Sequence, residues 1–164
     1  MNQTEQHYYE VAGDIPEEYE YLKRAAGEAS RLKAEVYRFA EDEFAGNAPK
    51  TMRRSGLELR PLQCDARYLV ESEYEAIRNA NAVIDSCAAG DKVALYAMVL
   101  AGWSANLKRE TDYHAYNIKA LAKRHAKGSP PEEIARVQGL IDEGAEKIAM
   151  LSPRVEWASR QCAS

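Results

Sequence analysis

"DIPEEYEYLKRAAGEASRLKAEVYRFAEDEFAG", residues 14–46, carries the period on which the fold reading turns. Leu22, Ala25, Ala29, Leu32, Val36 and Phe39 recur in alternating steps of three and four. That spacing lays one apolar stripe along a helix and is the period of bundles and coiled coils. Asp14 can cap the helix, Pro16 is tolerated in its first turn, and Glu17 and Glu18 suit the positive end of the helix dipole. Gly46 can take the left-handed cap conformation and Pro49 cannot continue a helix, so the spacing predicts a helix over 16–45.

The same signals continue downstream. Asp65 opens a second predicted helix that runs to Ala89, with Leu69, Ala76, Ile77, Ala80, Val83, Ile84 and Cys87 inward. "AAGD", residues 88–91, then turns the chain: Gly90 closes one helix and Asp91 caps the next, a connection short enough to make helices two and three an antiparallel hairpin. Helix three extends from Lys92 to Lys127 on a seam of Tyr96, Leu100, Trp103, Leu107, Glu110, His114, Asn117 and Leu121. Its stripe turns polar for two turns, which signals a kink, a projecting stretch or a buried polar layer. "GSPPEE", residues 128–133, pairs Ser129 with Glu132 as a capping box. The fourth helix directs Ile134, Val137, Ile141, Ala145, Ile148 and Leu151 inward, and Pro153 should break or kink it, leaving a short terminal helix with Trp157. No strand alternation occurs. The expected fold is all-α: a bundle of four long helices with a short C-terminal helix, as a single helical domain over 14–164 after a loose N-terminal arm, 1–13.

At 164 residues the chain is long enough for a real core. No apolar run reaches the roughly 18–20 residues needed to span a bilayer, and the N-terminus "MNQTEQHYYE" is neither basic nor apolar, so a cytoplasmic location without membrane attachment is expected. Cys64, Cys87 and Cys162 are too few and too scattered for a disulfide framework or a zinc knuckle, and Cys87 reads as a buried free thiol.

Catalytic signatures are lacking. Glu110 and His114 stand one turn apart, but a di-metal carboxylate site needs Glu-x-x-His on two helices and two further glutamates. His114 and His125 are about 16 Å apart along one helix and cannot share an ion. There is no Gly-x-Ser-x-Gly, no Gly-rich phosphate loop and no meaningful Cys–His spacing, and the acids Glu41, Asp42 and Glu43 read as a solvated face. The expectation is a protein that is not an enzyme and needs neither metal nor cofactor.

Charge is uneven along the chain. Residues 1–46 hold eleven acids against five bases, and the rest fifteen acids against seventeen bases, for a net charge of −4. Positive charge concentrates in residues 107–128 and in the strap "NAPKTMRRSGLELRPLQC", residues 47–64, where Lys50, Arg53, Arg54 and Arg60 face one acid, Glu58. Four bases on a backbone kept irregular by Gly56 and Pro61 could cradle phosphates. The same bases could clasp the acidic first helix. Ten tyrosines against two phenylalanines favour interfaces, by self-association or by stacking on nucleic-acid bases, or half-buried bundle edges.

The order of features from Lys33 to Lys119, about half the chain, resembles the UvsY family, the recombination, repair and single-stranded-DNA-binding mediators of T-even-type bacteriophages. A charged helix ends in aromatic-x-Gly, here "VYRFAEDEFAG". A basic or polar loop follows, "NAPKTMRRSG". Then comes leucine-x-x-leucine with an aspartate three residues on, "LRPLQCDARYLVESEYEAI", and a helical hairpin. The resemblance implies a homo-oligomer that binds single-stranded DNA through its backbone and helps load a recombinase onto strands coated by single-strand-binding protein. The family's basic Leu-Lys-Ala-Arg type element aligns by its distance from Gly46 with Tyr37-Arg38-Phe39-Ala40, where Arg38 alone keeps its charge. "RLKAE", residues 31–35, has the look of that element but lies five residues early. Strand contacts would then fall on Arg38, Lys50, Arg53, Arg54 and Arg60. The alternative is a structural or adaptor helical protein, a virion or assembly component, without nucleic acid.

Overall fold

The computed structural model describes residues 16–57 and 67–164. Four helices account for most of them: α1 (Pro16–Phe44), α2 (Arg67–Ala88), α3 (Val93–Ala126) and α4 (Pro131–Ala163). The fold is all-α, and no strand occurs among the described residues. The chain divides between Leu95 and Tyr96 into two compact units. Arg60, Cys64, the Asp65 cap and the N-terminal arm lie outside the described residues.

Three helices end the same way. Gly46, Gly90 and Gly128 take positive φ of 76°, 87° and 66°. The amide of each donates to the carbonyl three residues back, and the next amide reaches five back: Asn47 to Asp42, Asp91 to Ser86, Ser129 to Arg124. This is the Schellman arrangement, which satisfies carbonyls a helix would otherwise strand, and only glycine enters the left-handed conformation at no steric cost. Asp91 then accepts from the Val93 amide at 3.0 Å and caps α3 as expected.

In the first unit the predicted α1 stripe is the buried face: Leu22, Ala25, Ala29, Leu32, Val36 and Phe39 are all buried. From α2, Tyr74, Ile77, Ala80, Val83 and Ile84 are buried. Tyr21 meets Tyr74 edge-on at 5.8 Å. Further along both helices, Phe39 shares a pocket with Ile84 and Cys87. Low numbers therefore pair with low and high with high, so α1 and α2 run parallel. A parallel pair needs a connection that travels back along the helices, and residues 45–57, its described part, begin that return. Cys87 is half-buried and free, and burial pushes its thiol pKa up.

The second unit is an antiparallel hairpin of α3 and α4. Tyr96 packs edge-on against Trp157 at 5.6 Å, Trp103 lies 6.2 Å from Trp157, His114 faces Gly144, and Arg124 donates to Glu133 at 2.8 Å beside the closing turn. The buried positions of α4, Val137, Gly144, Leu151 and Ala158, fall seven residues apart, the coiled-coil repeat.

Three expectations change here. The short terminal helix does not exist: α4 continues through Pro153 to Ala163. Proline deprives the Ala149 carbonyl of its donor, at a cost of about 3 kcal/mol in a helix interior. On either side of that carbonyl, Ser152 Oγ donates to the Ile148 carbonyl and Arg154 Nη1 to the Met150 carbonyl, each at 2.8 Å. Beyond the proline, Ala158 is buried and Trp157 is held by two aromatic rings, so packing keeps the helix on its seam. The capping box is also absent. Helix α4 starts after Pro130 with no side-chain cap, and the Pro130 carbonyl accepts from the Glu133 and Ile134 amides. Finally, Ala145 is exposed and Gly144 takes the inward place. A Cβ there would sit 3.0 Å from His114 Nδ1, so the histidine occupies the room a side chain would need.

Of the three readings of the polar stretch in α3, the buried layer is the observed one. Asn117 is 3% exposed and His114 is half-buried, within an uninterrupted helix. His114 Nδ1 and Asn117 Nδ2 are buried without a hydrogen-bond partner among the described residues.

Candidate nucleic-acid interface

The strap after α1 is held down by an apolar anchor, not by its charges. Met52 is buried, and it lines a small cavity together with Phe39 of α1 and Ile84, Cys87 and Ala88 of α2, so it sits against both helices. Three residues on, the Ser55 amide donates to Asn81 Oδ1 of α2 at 3.2 Å, and Ser55 Oγ accepts from the Leu57 amide at 3.0 Å. Ser55 also reaches α1. The Arg31 guanidinium, 2.9 Å from Glu28, holds that carboxyl below the usual range, and the Ser55 hydroxyl adds to the effect. The strap is thus pinned at Met52 and Ser55, and Arg53 and Arg54 lie between the pins.

Those arginines point away from the core. Lys50 and Arg53 are exposed, and neither is in an ion pair with a described residue. Arg54 lies 3.5 Å from Asp85 of α2, with side chains 64% and 52% exposed. An ion pair so open to solvent contributes roughly 0–1 kcal/mol, so it restrains the arginine weakly. Sequence reasoning offered the acidic first helix as the partner of a clasp; the acid that Arg54 meets is on α2 instead.

Arg38 is placed differently. It lies within α1 between Glu35, at 3.1 Å, and Asp42, at 3.3 Å, one turn away on either side. Both acids already neutralise it, and its side chain is 36% exposed. Arg60 lies outside the described residues. Of the five candidate cations, Lys50, Arg53 and Arg54 share one described segment, and Arg38 belongs to an intrahelical acid–base row.

One cation escaped the sequence reading. Arg78 lines an open groove with Arg54, Ser55, Gly56, Asn81 and Asp85. The signal was present: Arg78, Asn81 and Asp85 repeat in steps of three and four on α2, as a polar stripe beside the apolar one. What could not be foreseen is that the strap returns along this stripe.

Chemically, this arrangement offers guanidinium donors on a segment whose backbone is fixed elsewhere. Guanidinium forks pair with phosphate or carboxylate oxygens bidentately. Among the described residues no group of three or more His, Cys, Asp or Glu could hold a metal ion, and no helix is long and apolar enough to cross a membrane. Comparison with protein-family models, with curated proteins and with solved structures finds no match to this chain.

Proposed function

We propose that this protein is a non-enzymatic accessory factor of phage-type DNA recombination, repair or replication that binds single-stranded DNA through the strap after α1. The observation that carries the reading is the separation of duties within the strap. Met52 and Ser55 hold it in place, while Lys50, Arg53 and Arg54 are exposed and take little part in internal pairing. A clasp built on charge would have its charges paired. The order of helix, basic crossover and second helix is also what the resemblance to the UvsY family rests on, and from it come the proposed partners: further copies of this chain in an oligomer larger than a dimer, a recombinase, and single-strand-binding protein.

Labelled oligonucleotide titrated at two salt concentrations tests this. Phosphate contacts make log affinity fall steeply with log salt, and removing one cation from a single-strand phosphate flattens the slope by about 0.7. Arg53→Ala with Arg54→Ala should weaken binding to every sequence alike and leave stability nearly unchanged. The second reading, an adaptor without nucleic acid, is favoured by the Arg54–Asp85 pair. It predicts no affinity for oligonucleotide, and a change in stability in the same double variant no larger than the roughly 0–1 kcal/mol of that exposed pair.

A further inference from the structure

The distal half of α3 carries a second feature that the strap does not explain. Tyr113 and Tyr116 are 47% and 66% exposed, whereas the other described aromatic side chains are buried or half-buried. Their rings lie nearly parallel, 12° apart in plane with centroids separated by 6.4 Å. Two large rings side by side on an exposed helix face form the kind of contiguous patch that marks an interaction site.

The surrounding charge says what would occupy it. Between Asp112 and Glu132 the sequence contains no acid, and it carries Lys119, Lys123, Arg124 and Lys127. Arg124 is engaged by Glu133. Lys119 and Lys123 are exposed, with no ion pair to a described residue. At 3.6 residues per turn, Arg109, Tyr113, Tyr116, Lys119 and Lys123 fall in steps of four, three, three and four, along one side of the helix. That side is not the seam, which is occupied by Glu110, His114, Asn117 and Leu121. The same side also carries Asp112, which Lys108 engages, so the stripe reads cation, paired acid, two flat rings, two cations, over about 21 Å.

We infer that this stripe of α3 is a stacking site for single-stranded nucleic acid: bases lie on Tyr113 and Tyr116, and the adjoining phosphates pair with Lys119 and Lys123. Every base has a π-face, so the ring pair accepts any sequence, and parallel rings present one base-like plane after another. The ammonium groups follow the backbone without reading it. An acidic protein surface would satisfy the lysines but would leave the ring faces unused. The inference rests on the single-strand reading above and adds a second locus, on the other compact unit, that contributes through bases rather than through phosphates alone.

The test is fluorescence anisotropy with a labelled oligothymidylate and with an abasic strand of the same length, at about 50 and about 200 mM salt. Tyr113→Ala with Tyr116→Ala should weaken oligothymidylate binding about tenfold or more. The salt slope should stay unchanged, because no charge is removed. Tyr113→Phe with Tyr116→Phe should bind as the natural protein does. On the abasic strand the natural protein and the Tyr→Ala variant should bind equally. Lys119→Ala with Lys123→Ala should flatten the slope by about 0.7 for each phosphate left without its lysine, on both strands. Because both tyrosines are exposed, the melting midpoint should not move. Oligothymidylate affinity unchanged by Tyr→Ala, with binding still weakened on replacing Arg53 and Arg54, overturns this site and leaves the strap. Equal weakening on both strands overturns it too, as does a change in sedimentation without a change in affinity, which makes the patch an interface between copies. Failure of the natural protein to bind either strand removes this site and the proposed function together.

Discussion

Replacing Asn117 by leucine should make the protein more stable. The amide is 3% exposed on the α3 seam, and its Nδ2 has no hydrogen-bond partner among the described residues. A buried donor left unsatisfied costs about 1–3 kcal/mol relative to one that keeps its water. Leucine has the same γ-branched outline and adds no polar atom, so the change comes close to conserving volume, a class of core swap that usually costs less than about 1.5 kcal/mol. Removing the penalty and adding apolar burial on a coiled-coil seam should together gain about 1–3 kcal/mol. For a chain of this size that raises the melting midpoint by roughly 2–4 °C per kcal/mol. Asn117→Ala should not give this gain, because it removes the donor but leaves a cavity. Guanidinium denaturation followed by helical circular dichroism, at one protein concentration, measures both variants. The gain in the leucine protein should appear as a higher midpoint at unchanged slope. A midpoint lowered by leucine would refute the reasoning, since it would mean that the amide is satisfied in solution and that its partner contributes more than the burial does. The same variant tests specificity: polar groups on such seams fix register and partner number in some coiled coils, and a change in sedimentation with leucine would show that role here.

Met52→Ala should cost about 2–3 kcal/mol, toward the low end for truncating a buried methionine, because the pocket lies under a strap free to settle. Met52→Leu should restore most of that stability; if alanine is tolerated at no cost in denaturation midpoint, the strap is held by something else. Ser129→Ala should shift stability by less than about 0.5 kcal/mol, as for a surface residue without a cap bond, and a drop near 1 kcal/mol would show that the capping box forms.

Much of the architecture was legible in residue order because it depends on local rules. The α1 stripe from Leu22 to Phe39 is buried residue for residue, since a helix with that period has one face to hide. Gly46 and Gly90 close their helices because no other residue enters the left-handed cap without strain, and Asp91 caps α3 because its carboxylate reaches the amide two residues on. What local rules could not decide was whatever depends on the residue across the interface. Pro153 breaks helices by its own chemistry, yet α4 passes through it because Trp157 and Ala158 gain more by staying packed. Ala145 is the more apolar candidate for the seam, but His114 needs the space and glycine alone leaves it. The two prolines after Ser129 define the start of α4 through the Pro130 carbonyl, where a capping pattern pointed to the serine. Composition located the basic strap, and the parallel course of α1 and α2 decided its path: back along α2, where Arg78 joins Arg54. Helix period is written into each segment separately, whereas direction, register and the room left at an interface exist only between segments.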